Sequence, residues 1–451
     1  MNHRARSRLP AISALLLVAT GLLTAAPVAQ PAARADEEVP SYVFASAPDL
    51  LNDDVADLRV SPYWRDGMPN GTNRSYESSL DVFLSDIRER GARDVLVAGD
   101  LVRGHWGIDQ WDNGVFGPVA TDVQRRAALR LAADIYYPAW TQRFVRNGLR
   151  AFPAVGDHDI GDNPWRDPNG KGGLRGYRSY ALSVGWYDFK RAHVGLFKKM
   201  WAKHFTADGT RYPKRPAKGQ AKRTAYAKML APEVMLVTID TYDATDGTVR
   251  PRLDRHQLDW LGKTLAKANK KGVDWVIVQG HLPVATPVRT RESSAMSYKG
   301  GTSSKFWRIM REHKVDLYLS GEVHHSTAIR KNKIVQISHG GLFRKGHATY
   351  LLGRVYDDRL ELDLRGFNTS IALGDRPDRL WQTDSREAAN KVTYRSGSES
   401  LGTLTLTADR RAINRTGLLG VYHPGMPDPV LPVSIDKRDG LDPEGPALPV
   451  E

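Results

Sequence analysis

The stretch Asp94-Val-Leu-Val-Ala-Gly-Asp100 decides how this chain folds. It is a short apolar run that ends abruptly at a glycine followed by an aspartate. Such a run is typical of a strand buried on both faces, as in a parallel sheet covered by helices. Because glycine lets the backbone turn sharply, the aspartate is expected at the carboxyl end of the strand.

The same pattern recurs along the chain. Four more short apolar runs end close to an acidic residue or a histidine, at residues 42–46, 151–155, 275–279 and 316–320. Amphipathic helical patterns separate them, at residues 76–90, 124–146, 254–270 and 303–313. Alternating strands and helices predict an α/β fold with a largely parallel sheet. In such sheets the ligand site lies beyond the carboxyl ends of the strands.

Polar residues that follow these strands are predicted to meet at one edge of the sheet. The five strand ends supply Asp49; Asp100; Asp157, His158 and Asp159; His281; and Glu322 and His324. Several carboxylates in one place would repel each other without a cation. Carboxylates mixed with imidazoles suit manganese or another divalent metal, and this many ligands suffice for two ions. Two ions ~3.5–4 Å apart clamp a phosphate and generate hydroxide near neutral pH.

The ordered set of motifs resembles the calcineurin-like metallophosphoesterase superfamily, whose pattern is D-x-H, GD, GNH[D/E], GH and GHxH. This chain has Asp49 within APDLL, followed by GD at 99–100, GDHD at 156–159, GH at 280–281 and GEVH at 321–324. The resemblance covers residues 41–366. It implies a four-layer α/β/β/α sandwich, with two face-to-face sheets and helices outside, and the hydrolysis of phosphoesters.

The resemblance also implies a role for each motif residue. Asp100 would bridge two metal ions. The first ion would be held by Asp49 and His324, and the second by Asp157, His281 and Glu322.

The resemblance also implies which groups act as acid and as nucleophile. His158 would be the acid that protonates the leaving oxygen or steadies the phosphate, and Asp159 would orient its imidazole. The nucleophile would be a hydroxide that bridges the metals, so no covalent enzyme intermediate is needed.

Three positions depart from the family pattern. The histidine expected two residues after Asp49 is Leu51, the asparagine of GNH is Asp157, and the first histidine of GHxH is Glu322. The ligand set is therefore richer in carboxylates, which favours manganese or magnesium, with iron, calcium and zinc as alternatives. Asn52 could replace the missing histidine, with the two aspartates that follow it as alternates. A single-metal or degenerate site is the other interpretation.

Substrate contacts are less closely defined. Arg103 and His105 follow the GD turn, and His339 follows a later strand, so all three are candidate substrate-binding residues; a solvated loop is the alternative for the first two. Residues 166–228 carry 16 lysines and arginines against three aspartates, interleaved with aromatic residues. They predict either a lid that attracts polyanions or a helical cap with buried aromatics and solvated lysines.

Composition and the chain ends complete the predicted organisation. With no cysteine, the chain has no disulfide framework and no cysteine nucleophile. Residues 1–35 read as a signal peptide cleaved near Ala35, with no other apolar stretch long enough for a membrane anchor, so the protein is expected to be secreted.

We predict a metallophosphoesterase domain at 36–371, containing the insertion 166–228. A β-rich extension at 372–435 and a poorly ordered tail at 436–451 follow.

The predicted function is metal-dependent hydrolysis of a phosphoester, with a phosphomonoester as the first choice. The net charge of +14 suits a phosphorylated small molecule or a polyanion, and nucleic acid is a further candidate partner. A phosphodiesterase or extracellular nuclease is the first alternative. A non-catalytic module that binds phosphate or polyanions is the second, and Leu51 is the feature that favours it.

Overall fold

A computed structural model describes residues 38–436 except 52–54, 69–70, 72–73, 109–113, 163–184, 246–248, 292, 341, 344–346, 373–390, 425 and 427–432. The predicted signal peptide, most of the predicted tail and Asn52 lie outside the described residues. From Pro40 onward the chain forms one compact unit.

The strands, in chain order, are β1 (Tyr42–Ser46), β2 (Asp94–Val97), β3 (Arg150–Pro153), β4 (Tyr226–Ala231), β5 (Val234–Thr238), β6 (Tyr242–Asp243), β7 (Arg250–Pro251), β8 (Trp275–Gln279), β9 (Leu317–Ser320), β10 (Thr327–Lys331), β11 (Ile334–Ser338), β12 (Leu342–Phe343), β13 (His347–Val355), β14 (Arg359–Ala372), β15 (Lys391–Thr407), β16 (Ala412–Ile413) and β17 (Val433–Asp436). The helices are α1 (Arg74–Glu89), α2 (Asp122–Arg146), α3 (Trp186–His204), α4 (Arg255–Lys270) and α5 (Lys305–Glu312).

These strands form two large sheets and a two-stranded ribbon of β6 and β7. The first sheet has the order β16-β15-β14-β13-β1-β2-β3, with β12 beside β13 and β17 beside β14. The second has the order β10-β11-β9-β8-β5-β4. Each sheet contains a run of parallel strands: β1, β2 and β3 at one end of the first, and β5, β8, β9 and β11 in the second.

The sheets pack face to face, as the alternation of side chains along each strand shows. Phe44, Leu96 and Ile277 point into one apolar cluster that is shared by strands of both sheets. Their chain neighbours, such as Val95 and Val278, belong to a second cluster that includes the helices. The chain is therefore layered helix, sheet, sheet, helix, and the predicted four-layer sandwich is confirmed.

The structure corrects the prediction that a single sheet carries all five motif strands. β1, β2 and β3 belong to the first sheet, whereas β8 and β9 belong to the second. The later strands β13, β14 and β15 extend the first sheet beyond β1. Buried parallel strands have the same apolar pattern wherever they lie, so the pattern could not assign them to one sheet or the other.

Helix starts follow local capping chemistry. Thr121 caps α2 with a capping box. Its hydroxyl accepts from the backbone N–H of Gln124 at 3.3 Å, and the side chain of Gln124 accepts from the backbone N–H of Thr121 at 3.0 Å. Asp254 and Ser304 cap α4 and α5 with a single bond each, in which the side chain accepts from the backbone N–H three residues later. Among the described residues, no helix has the length and apolar character needed to cross a membrane.

Candidate metal centre

The motif residues lie in the loops that follow the strands, where the backbone is unusual. Asp49, Asp100, Glu322 and His324 all have left-handed backbone conformations, with φ between 52° and 70°. This conformation is uncommon for residues with a side chain, and it clusters at functional sites. Four of the predicted site residues are therefore held in a conformation that local propensity disfavours.

Two glycines allow the loops to approach each other closely. A Cβ atom on Gly156 would lie 1.9 Å from Oδ1 of Asp100, and one on Gly321 would lie 2.6 Å from Oδ1 of Asp49. Neither distance is possible between real atoms. Glycine is thus required at both positions so that the carboxylates of one strand end can pack against the backbone of another.

The carboxylates and one imidazole converge in two groups that share His281. One group contains Asp49, Asp100 and His281, and the other contains Asp157, His281 and Glu322. Within each group the potential ligand atoms lie within 4.8 Å of one another, and every member is buried. The Nε2 atom of His281 lies 3.0 Å from Asp157, 3.3 Å from Asp100 and 3.5 Å from Glu322.

Hydrogen bonding shows that this arrangement fits a cation. The Nδ1 atom of His281 donates to the carbonyl oxygen of Ala98 at 2.8 Å. In the neutral ring, Nε2 then carries a lone pair that faces carboxylate oxygens, which also only accept. The Oδ2 atom of Asp49 is buried and has no hydrogen-bond partner among the described residues. Acceptors that face each other in a buried site are stabilised by a positive charge between them, so the residues fit a metal centre.

Burial also affects the charge of the carboxylates. Burial raises the pKa of Asp49 well above its usual range, despite the nearby imidazole of His281. Burial raises the pKa of Glu322 to about 7, and the charge of Asp157 adds to the increase. The metal-free site therefore disfavours the ionised forms of Asp49 and Glu322, and a bound cation would favour them.

His324 lies apart from both groups. Its Nδ1 atom donates to the carbonyl oxygen of Arg291 at 3.1 Å, and it is a member of neither cluster of potential ligand atoms found in the described part of the chain. The sequence paired His324 with Asp49, whereas the structure groups Asp49 with Asp100 and His281. The role of His324 as a ligand stays a prediction.

His158 lies beside the metal groups, with its ring orientation fixed. Its Nδ1 atom donates to the carbonyl oxygen of Arg103 at 2.8 Å, and its backbone N–H donates to Asp100 at 3.1 Å. Its Nε2 atom lies 3.6 Å from Oδ1 of Asp162. Burial lowers the pKa of His158, but the charges of Asp162, Asp100 and Asp157 outweigh it and raise the pKa to about 9.

Sequence reasoning missed Asp162. Its Oδ2 atom accepts from Nε2 of His105 at 2.7 Å, and its other oxygen faces His158. These three residues form a third cluster of potential ligand atoms. A signal was present in the sequence, because Asp162 follows a second glycine in GDHDIGD at 156–162.

The structure corrects the role predicted for Asp159. Its Oδ2 atom accepts from the backbone N–H groups of Asp100 at 3.0 Å and Gly156 at 2.9 Å. The ring of His158 is instead held by Arg103 and faces Asp162. Adjacent residues of the short 3-10 turn His158–Ile160 project in different directions, so Asp159 fixes the loops and not its neighbour's imidazole.

The three candidate substrate contacts occupy different positions. His105 is buried and bound to Asp162, while Arg103 is half-buried and offers its carbonyl oxygen to His158. His339 is fully buried, with Nε2 at 2.9 Å from the hydroxyl of Ser46. Burial lowers the pKa of His339 to about 3. These contacts are all within the protein, so contact with a substrate stays a prediction for each.

Helix α3, within the basic insertion, has two buried lysines that bind Asp162 and the segment 240–242. The amine of Lys190 donates to the carbonyl oxygen of Asp162. The amine of Lys198 binds Asp240 at 2.7 Å and the carbonyl oxygen of Tyr242 at 2.6 Å. The aromatics Trp186, Phe189 and Trp201 are buried, as a helical cap predicts. The expectation that its lysines are solvated is wrong for Lys190 and Lys198, because both have acceptors inside the fold.

Comparison with known proteins agrees with this geometry. The chain matches the family model of the calcineurin-like phosphoesterases over residues 73–326, which is more than half of its length. The chain belongs to this family, and it is a metal-binding hydrolase of phosphoesters. A search of curated proteins found no match.

Solved structures with a similar fold include several phosphatases. A dimetal phosphatase from Danio rerio is 15% identical, with a TM-score of 0.45, and the match covers 72% of this chain and 96% of that one. PhoD is 11% identical, with a TM-score of 0.48, and the match covers 89% of this chain and 75% of that one. A purple acid phosphatase from yellow lupin seeds is 13% identical, with a TM-score of 0.39, and the match covers 79% of this chain and 54% of that one.

Proposed function

We propose that the protein is a phosphomonoesterase that uses two metal ions held by the groups around His281. The observation that carries the proposal is the convergence of the buried carboxylates of Asp157, Asp100 and Glu322 on Nε2 of His281. So many buried carboxylates in one place repel each other, and cations between them would relieve that repulsion. Bound metals would neutralise the charge of a phosphate and lower the pKa of water to near neutrality.

The protein's own residues would divide the remaining tasks. Asp100 and Asp157 would hold the ions from the first sheet, and His281 and Glu322 from the second. His158 would hold a proton on Nε2 for the leaving oxygen, since its Nδ1 is already bound to Arg103. Manganese or magnesium is proposed in preference to zinc, because most of the ligand atoms are carboxylate oxygens.

Buried lysines support a monoester over a polyanion. Lys190 and Lys198 of α3 are buried, and their amines bind acceptors inside the fold. They are therefore not available to line a groove for a nucleic acid strand. A phosphodiesterase or nuclease is the second candidate, favoured by the net charge of +14.

The test compares p-nitrophenyl phosphate with bis-p-nitrophenyl phosphate after removal of metals by a chelator. Manganese, magnesium, calcium, iron and zinc are then added back one at a time. Faster turnover of the monoester with manganese or magnesium is the expected result. Preference for the diester would replace the proposal with the second candidate, and best activity with zinc would contradict the metal assignment.

An Asp100→Asn variant separates an enzyme from a binding module. We expect it to lose turnover by about 100-fold or more, since a carboxylate shared by the metal site is removed. A module that binds polyanions through surface charge would bind heparin equally well with and without this change. Wild-type protein that is folded, binds heparin and turns over neither ester with any metal would favour the module.

Secretion and domain organisation are part of the proposal. The supporting features are Arg4, Arg6 and Arg8, the apolar run that follows, and the Ala33-Arg34-Ala35 site. Expression in a bacterial host with recovery from the periplasm or medium, followed by N-terminal sequencing, is expected to give a chain that begins at Asp36. Retention of residues 1–35 on the mature protein would contradict this.

A further inference from the structure

Glu322 stands where the family pattern has a histidine, and its carboxylate is held in one orientation. The hydroxyl of Ser294 and the backbone N–H of Met296 both donate to Oε1, the latter at 3.0 Å. The other oxygen, Oε2, is the one that faces Nε2 of His281 at 3.5 Å. One oxygen is thus occupied by protein donors, and the other is turned to the metal group.

We infer that Ser294 is a positioning residue of the metal centre, which keeps Glu322 as a ligand through Oε2 alone. A carboxylate can rotate and bind a metal through either or both oxygens, whereas an imidazole at this position could not. Donors on Oε1 remove that freedom and fix the ligand before the metal arrives. The inference rests on the proposed metal-dependent function.

The segment that carries Ser294 is anchored independently of its hydroxyl. At one end the backbone N–H of Arg291 donates to Val323 at 2.9 Å. At the other end the buried Tyr298 accepts from the N–H of Leu253 through its hydroxyl and donates its own N–H to Pro283, both at 2.9 Å. Ser294 itself is exposed. Removal of its hydroxyl should therefore leave Oε1 held by the N–H of Met296 alone, which loosens the carboxylate without releasing the loop.

The backbone of Glu322 gives this position a second link to the site. Its N–H donates to Oδ1 of Asp49 at 3.1 Å, so its main chain contacts one metal group while its side chain belongs to the other. A shift of Glu322 would therefore disturb both groups. For this reason a small change at the exposed Ser294 is expected to affect metal binding.

The test is calorimetric titration of chelator-stripped protein with manganese chloride alone. Four proteins are compared: wild type, Ser294→Ala, Ser294→Thr and Ser297→Ala. Ser297 lies on the same segment, and its hydroxyl has no partner among the described residues, which makes it the matched control. We expect Ser294→Ala to bind at least one manganese ion about 10–100-fold more weakly. The other two variants should match wild type, and all four should unfold at the same temperature without metal.

The outcomes separate this inference from the proposed function. Wild type that binds two manganese ions and hydrolyses p-nitrophenyl phosphate, with Ser294→Ala equal to it in affinity, would overturn the inference alone. Equal losses in Ser294→Ala and Ser294→Thr would also overturn it, because the hydroxyl would then not be the cause. Wild type that neither binds manganese nor hydrolyses the ester would overturn both.

Discussion

Replacement of Lys198 by methionine tests the bracing of the site by α3. The amine of Lys198 is buried and binds both Oδ2 of Asp240 and the carbonyl oxygen of Tyr242. Methionine retains most of the side-chain volume but leaves the carboxylate of Asp240 in the core without its cation. Breaking a buried ion pair in this way costs roughly 3–5 kcal/mol.

Local hydrogen bonds place the expected loss at the lower end of that range. Asp240 keeps a bond from the hydroxyl of Thr224 at 2.5 Å and one from the N–H of Tyr242 at 3.0 Å. We therefore expect Lys198→Met to reduce the free energy of unfolding by about 3 kcal/mol, measured by urea denaturation. A Lys198→Met, Asp240→Asn double variant should recover part of the loss, because it removes the unpaired charge.

The neighbouring lysine provides the control. Lys199 is exposed, so Lys199→Met should change the free energy of unfolding by no more than about 0.5 kcal/mol. If Lys198→Met is as stable as Lys199→Met, the buried ion pair contributes nothing and the reasoning is refuted.

Three further predictions concern the centre itself. Gly321→Ala should weaken manganese binding by more than about 10-fold in a titration, because its Cβ would lie 2.6 Å from Asp49; unchanged affinity would contradict the close approach. Asp159→Asn should retain more turnover than Asp159→Ala, since the amide oxygen can still accept from two N–H groups; equal losses would favour a role for the charge. The free energy of unfolding of metal-free protein should fall by up to about 2 kcal/mol between pH 6.5 and pH 8. Folding raises the pKa of His158 from 6.5 to about 9. As the pH rises, the unfolded chain therefore releases this proton before the folded protein does, and the folded state loses its advantage. Urea denaturation at both pH values measures this, and stability that rises instead would contradict the sign.

The order of apolar runs and polar strand ends determined the family and the layered fold. β1 and β8 have the predicted bounds, because buried parallel strands leave an uninterrupted apolar pattern that local sequence alone records. Asp100, Asp157 and His281 were identified by the same logic. A residue that follows a strand through a sharp turn is placed by that strand, whatever the rest of the chain does.

Only the tertiary structure decided which residues face each other. It divided the motif strands between two sheets, placed Asp159 on backbone N–H groups and brought Asp162 and His105 to His158. It also buried Lys198 in a segment that reads as basic and solvated. Several of these contacts join residues that are distant in the sequence, such as His105 and Asp162, or Lys198 and Asp240. Each depends on the direction in which a loop projects its side chain, and spacing along one chain carries no information about that direction.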